Sequence, residues 1–397
     1  MTGTRTPIAR RPGRKGLSSG ITPAAGADLR RSLLRWFDRH ARPLPWREAG
    51  SAYAVWVSEV MLQQTQVSTA IPYYQRFMER FPSVAALAGA DLDEVLALWS
   101  GLGYYRRARL MHEAAQRIVA RFNGEFPAEY ESARALPGVG DYTARAVLSI
   151  AYQKPLFVLD GNVARVIARL RAMKGNVHQT SFRRSVEDDL QQLLSRRRPG
   201  EFNQAIMQLG QLVCLPRAPR CEICPLRRSC KAYLLGAPED FPEPRPRRSA
   251  EAHFLAAAIL RHRNKVALIR GLDDGLLDDL WNFPAAFGQS SQAARNLLGE
   301  NVKRTFSRTL LPVKPLAQTT HAITHRKIHV EVYVAELAKM HTGNPHAEVA
   351  RKSKRGARRI DNSHTPIRWI SMQDLSRAAI SRLTKKIADT ITLRTSL

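Results

Sequence analysis

The chain has 397 residues, enough for two domains that each bury a core. Its 62 Lys and Arg against 34 Asp and Glu leave a net charge of +28, which points to a polyanionic partner, nucleic acid ahead of an anionic membrane because no amphipathic anchor is evident. Hydrophobic residues make up 44%, as in an ordinary globular fold, and no apolar run approaches the roughly 18 residues that crossing a membrane takes.

Residues 1–27 hold Arg5, Arg10, Arg11, Arg14 and Lys15 and no acidic residue. This stretch reads either as a transit peptide or as a disordered basic tail that adds non-specific affinity for DNA. From residue 28 to 235 apolar side chains recur at spacings of three and four, which predicts helices over segments such as 29–40, 58–80, 92–98, 107–121 and 163–173. Pro238, Pro242, Pro244 and Pro246 then predict an extended linker over 236–250. Beyond it, 253–261, 265–269 and 328–334 read as strands, so 251–397 is expected to be an α+β domain. A basic stretch within it, 351–359, is expected to be a mobile loop.

Four constellations carry chemistry. In Leu136-Pro-Gly-Val-Gly-Asp-Tyr-Thr-Ala144 one helical pattern ends and another begins. Gly138, Val139 and Gly140 make a tight turn there, and the amides opening the second helix can bind a phosphate. A plain turn between two helices is the simpler alternative. Asp160, preceded by apolar residues and followed by a helical pattern, is placed to cap that helix, which would favour its anion. Glu59 is the only ionisable side chain between Val55 and Val67. An apolar setting raises a carboxyl pKa, as a general acid requires, although a lone Glu on a helix more often lies on an exposed face. Paired with Asp160 it would make the two-carboxylate set that cleaves glycosidic bonds. The chain's four cysteines, Cys214, Cys221, Cys224 and Cys230, are spaced C-x6-C-x2-C-x5-C. That pattern suits a metal centre in a reducing compartment, either a 4Fe–4S cluster or zinc. Zinc sites usually show two short knuckles, and only one is present.

In this order, with Leu44-Pro-Trp-Arg47, Ser58-Glu-Val-Met-Leu-Gln-Gln-Thr-Gln66, Trp99-Ser-Gly-Leu-Gly-Tyr-Tyr105 and Leu159-Asp-Gly-Asn162, residues 44–235 resemble the adenine DNA glycosylase family, the MutY type of helix–hairpin–helix enzyme. The resemblance implies a mainly α catalytic domain with an iron–sulfur loop, one 4Fe–4S cluster on the four cysteines, and excision of adenine opposite 8-oxoguanine or guanine in double-stranded DNA. The catalytic set it implies is Glu59, Asp160, Tyr142 and Asn162. Trp46, Arg47 and Gln204 would receive the flipped adenine. Gln63, Gln64, Tyr104 and hairpin residues Gly138, Val139 and Gly140 would touch DNA, with Gln64 and Tyr104 as wedges in the base stack. The related endonuclease III family carries a Schiff-base lysine where this chain has Tyr142, so a glycosylase without lyase activity is expected. A monomer in the cytoplasm is the accompanying expectation, with targeting by the N-terminal tail left open. A non-catalytic DNA-binding module is the rival from another class, and the presence of both carboxylates speaks against it.

The C-terminal domain resembles the family's NUDIX-like reader of 8-oxoguanine through Gly275-Leu-Leu-Asp-Asp-Leu-Trp-Asn-Phe-Pro284 and His321-Ala-Ile-Thr-His325. Ile323, Thr324 and His325 are the implied lesion contacts, with Ile323 and Thr324 replacing the usual Phe and Ser. Without an intact NUDIX hydrolase box, nucleotide hydrolysis is not expected.

Overall fold

The computed structural model describes residues 21–243, 251–270, 280–306, 314–323, 326–338 and 366–395. Most of the basic tail, residues 244–250 and 275–279, Thr324, His325 and the 351–359 stretch lie outside them. In chain order the helices are α1 (Pro23–His40), α2 (Pro45–Glu48), α3 (Ala52–Leu62), α4 (Val67–Arg80), α5 (Val84–Ala88), α6 (Leu92–Trp99) and α7 (Arg106–Phe122). They continue with α8 (Tyr130–Arg134), α9 (Asp141–Ala151), α10 (Gly161–Arg171), α11 (Thr180–Leu193), α12 (Pro199–Leu212) and α13 (Lys231–Leu234). Then follow β1 (Glu251–His262), β2 (Lys265–Arg270), β3 (Trp281–Asn282), β4 (Ala285–Gly288), α14 (Ser291–Phe306), β5 (Ala317–Ile323), β6 (Arg326–Glu336), β7 (Ile367–Ser371) and α15 (Arg382–Thr395). None of the described helices is long and apolar enough to cross a membrane.

Contacts divide the chain into two compact units that interrupt its linear order: Met1–Arg42 with Gln153–Arg245, and Pro43–Tyr152 with Pro246–Leu397. The helical stretch 28–235 therefore contributes to both.

In the first unit α1 begins at Pro23, where the Thr22 hydroxyl accepts from the Ala25 amide at 3.4 Å and proline presets the first helical φ. The helix thus takes in residues that the sequence left in the basic tail. Its buried stripe, Leu29, Leu33, Leu34 and Phe37, has the spacing of one helical face, and α1 packs on α11 and α12. α10 packs on α11, α12 and α13. Residues 236–243 are not an extended linker. Phe241 is buried, its carbonyl accepts from Arg169 Nε at 2.9 Å, and the Glu243 amide donates to the Gly175 carbonyl at 3.0 Å. An apolar ring and a buried arginine in need of acceptors outweigh the prolines.

In the second unit every residue of α3 from Tyr53 to Met61 is buried, and the helix packs on α4, α7 and α9. A helix apolar all round belongs at the centre of a fold. The single helix expected over 58–80 is two, because the chain leaves the helical path after Leu62 and Gln64 takes a φ of +57°. The sheet has the order β3-β2-β1-β6-β5, with β4 also on β1 and β7 also on β2. β1 runs parallel to β6, from Glu251 opposite Arg326 to Arg261 opposite Glu336, and the other pairings are antiparallel. Ala294, Leu298, Val302 and Phe306 of α14 cover Ala256, Ala258 and Leu260 of β1. In this same unit Asp93, in the first turn of α6, accepts from Trp281 Nε1 at 3.0 Å and pairs with Arg270 at 2.7 Å. Past the other end of α6, the Ser100 hydroxyl donates to the Ile380 carbonyl at 2.8 Å.

Candidate active site

Asp160 caps α10, as its place in the sequence suggested. Its Oδ1 accepts from the Val163 amide at 2.7 Å and its Oδ2 from Asn162 Nδ2 at 2.9 Å. Such a cap is worth about 1 kcal/mol to the helix, and the positive end of the helix dipole faces the carboxylate. Asn162 is fixed in turn, because its Oδ1 accepts from Arg165 Nη2 at 2.9 Å. Arg165 also donates to the carbonyls of Gly210 at 2.7 Å and Cys214 at 2.8 Å. A continuous chain of hydrogen bonds thus runs from the Asp160 carboxylate to the first cysteine. It depends on a close approach of α12 to α10, since a Cβ at Gly210 would lie 2.7 Å from the Cβ of Asn162. Gln204 is half-buried on α12.

Cys214, Cys221, Cys224 and Cys230 are free thiols, each half-buried. Burial pushes the Cys224 thiol up to about 12, and the charges of Cys214, Cys230 and Cys221 push in the same direction, as expected of sulfurs gathered in one place. Arg169, 3% exposed, reaches Cys214 Sγ at 3.5 Å and the carbonyls of Leu215 and Pro216, while its own carbonyl accepts from Cys230 Sγ at 3.4 Å. Four thiols framed by guanidinium groups suit a group that takes thiolate ligands and leaves net negative charge to be balanced. Among the described residues no group of three or more His, Cys, Asp and Glu is placed to hold a metal ion. Arg217, Arg220 and Arg228 are exposed around the loop.

Glu59 occupies the middle of α3 and is 7% exposed. Its sequence neighbours Val57, Val60 and Met61 are buried as well. Trp46, in α2, is also buried, with its ring edge-on to Tyr74 at 5.3 Å between centroids. Arg47 beside it is half-buried.

The residues expected at the DNA lie on three loops of this same unit. Gln64 and Tyr104 are exposed, and both adopt left-handed backbone, with φ of +57° and +50°. That conformation costs a non-glycine residue about 1 kcal/mol, so both loops are held by their surroundings. Gln63 Nε2 donates to Thr143 Oγ1 of α9 at 3.3 Å. In the hairpin, Gly138 has a φ of +74°, and a Cβ there would lie 2.8 Å from Leu110 Cβ on α7, so position 138 admits no side chain. Val139 is buried and its amide donates to the Leu136 carbonyl at 3.1 Å. Tyr142 sits half-buried in the first turn of α9. Ile323 ends β5, and Thr324 and His325 lie outside the described residues.

The structure thus joins Asp160, Asn162 and the cysteines in the first unit, and places Glu59, Trp46, the two wedge candidates and the hairpin in the second. Sequence reasoning missed Arg165, Arg169 and Gly210. Only the spacing Asn162 to Arg165, one helical turn, could have signalled the first of these.

Comparison with known proteins gives two family matches. Residues 57–194 match the HhH-GPD superfamily of base excision DNA repair proteins, and residues 255–390 match the NUDIX domain. Over 415 residues the chain is 34% identical to the adenine DNA glycosylase of Mus musculus, covering 90% of this chain and 77% of that protein. It is 33% identical to the adenine DNA glycosylase of Homo sapiens over 417 residues, covering 90% and 73%.

Proposed function

This chain belongs to the adenine DNA glycosylase family of base excision repair, and we propose that its substrate is adenine mispaired with 8-oxoguanine or guanine in double-stranded DNA. It is a hydrolase of the N-glycosidic bond. The edge of the adenine is out of reach inside a duplex, so the nucleotide is flipped out before reaction. In the proposed mechanism Glu59 gives a proton to adenine N7, and the bonding pair leaves with the neutral base. Asp160 stabilises the cationic sugar or traps it transiently. Water then adds to the sugar and its proton returns to Glu59. Trp46, Arg47 and Gln204 receive the adenine, and Tyr142, having no amine, forms no Schiff base. Asn162 steadies the Asp160 carboxylate. Ile323, Thr324 and His325 read the opposite base. The proposed enzyme is a cytoplasmic monomer.

The observation that carries this reading is the anchoring of Asp160, whose two oxygens are taken by Val163 and Asn162, so that the carboxylate is fixed before any substrate arrives. Cys214, Cys221, Cys224 and Cys230 would hold one 4Fe–4S cluster, which when bound ties the loop together through its thiolates. Single-turnover strand mapping tests the substrate. Adenine release opposite 8-oxoguanine and guanine, with thymine glycol untouched, is expected; cleavage at thymine glycol with strand nicking would replace this reading by an endonuclease III-like one. Iron and sulfide analysis tests the cluster, and a protein with one zinc and no iron would remove it.

A further inference from the structure

α7 begins two residues after Tyr104, and its first turn carries Arg107, a residue that none of the family strings draws attention to. One guanidinium there serves two loops. Nη1 donates to the carbonyls of Val60 at 2.8 Å, Met61 at 3.0 Å and Gln63 at 2.5 Å. These lie at and just beyond the C-terminal end of α3, where carbonyls have no partner within the helix and a cation is favoured by the dipole. Nη2 donates to the carbonyls of Gly103 at 3.0 Å and Leu102 at 3.4 Å, and to Thr65 Oγ1 at 3.5 Å. The same group lies 5.4 Å from the ring centroids of both Tyr104 and Trp99. Every acceptor is thus within a few residues of Gln64 or of Tyr104, both of them exposed and left-handed in backbone. Burial pulls the guanidinium down to about 10, so it stays charged at neutral pH. One turn further along α7, Leu110 packs under Gly138, which ties the hairpin to the same helix.

We propose that Arg107 is a positioning residue for base flipping: it clamps the Gln64 loop to the Tyr104 loop so that the two side chains enter the base stack as one wedge. The inference rests on the reading of Gln64 and Tyr104 as wedges. Lysine cannot replace it, because a single ammonium lacks the planar fork that spans two sets of carbonyls. The clamp touches no reacting atom, so it governs how readily adenine leaves the stack and not how its bond breaks.

The test is a double-mutant cycle in the full-length protein, with Arg107→Lys on one side and Gln64→Ala with Tyr104→Ala on the other. It is read as single-turnover adenine excision per active site, with 2-aminopurine fluorescence reporting flipping. Arg107→Lys is expected to slow excision roughly 10- to 100-fold, the scale of a misplaced positioning group. It should reduce the flipping signal and leave the shape of the pH–rate profile unchanged. Its effect should shrink to near nothing in the wedge-less background, and on duplexes whose pairs flanking the adenine are mismatched and already unstacked. Should Arg107→Lys not fold, Thr65→Val, which removes one acceptor from Nη2, is expected to give a smaller loss with the same dependence on the wedges. A loss that adds in full to that of the wedge-less variant overturns the proposal while leaving the wedges in place. A wedge-less variant as fast as the parent takes away the wedge reading itself, and this inference with it.

Discussion

Asp160 stands at the head of α10 with both oxygens engaged by donors, whereas Glu59 lies halfway along α3 in a run of residues that are all buried. One carboxyl is held by a backbone amide and by an asparagine backed by an arginine, while the other lies on a helix whose residues from Tyr53 to Met61 are all buried. On the proposed mechanism the same functional group serves two tasks, one electrostatic and the other proton transfer, which is how paired carboxyls divide the work in glycosidic cleavage. The contrast also sets what each can tolerate. A polar network fails when any member is removed, while a buried carboxyl fails when it is left unpaired.

The largest effect is expected from Glu59→Gln. It keeps the shape of the side chain but has no proton to give, so single-turnover excision should fall by about 10²–10⁴-fold while affinity for mispaired DNA holds. Turnover close to the parent's would end the assignment of the acid. Asp160→Asn sharpens the comparison from the other side. Asparagine is as good a helix cap as aspartate, so the melting temperature should hardly move, yet excision should drop by roughly 10²–10³-fold because the charge facing the cationic sugar is gone. An unfolded Asp160→Asn protein would instead make the residue a structural cap.

A middle-sized effect belongs to the C-terminal reader. Thr324→Ala and His325→Ala should each reduce the preference for adenine opposite 8-oxoguanine over guanine by about 1–3 kcal/mol, with excision opposite guanine retained. Equal preference in parent and variants would remove these residues from lesion recognition. Point changes serve better here than removal of 251–397. Asp93 and Ser100 are bonded to Trp281, Arg270 and Ile380, so truncation would also disturb α6 and the loop that bears Tyr104.

The smallest effect is expected from Arg165→Leu. It takes away the donor behind Asn162 and should slow excision by about tenfold, the equivalent of one hydrogen bond of roughly 1.4 kcal/mol. The loss should disappear in the Asp160→Asn background and persist in full beside Glu59→Gln. An effect of the same size in both backgrounds would show that Arg165 does not act through Asp160.

Much of this was legible before any coordinates. The hairpin, the cap at Asp160 and the strands at 253–261, 265–269 and 328–334 all follow from patterns a few residues long. Helix ends were less legible. The break at Gln63–Gln66 depends on carbonyls beyond α3 finding Arg107, more than 40 residues on. The folding of 236–243 likewise depends on Arg169, which lies 72 residues from Phe241.

The sequence by itself determined the helical and α+β character of its two parts, the order of the chemical groups and the family to which they belong. Each of these is written in local periodicity, turn chemistry or contiguous strings. Only the tertiary structure decided that the helical stretch is shared between two compact units. It alone revealed that Arg165 joins Asp160 to the cysteine loop, that Arg107 joins the Gln64 and Tyr104 loops, and that Gly210 must lack a side chain. The reason is physical. These arginines are satisfied mainly by backbone carbonyls, which every residue carries, and their partners are brought near by helix packing over long sequence separations. Neither condition leaves a pattern in the order of the amino acids.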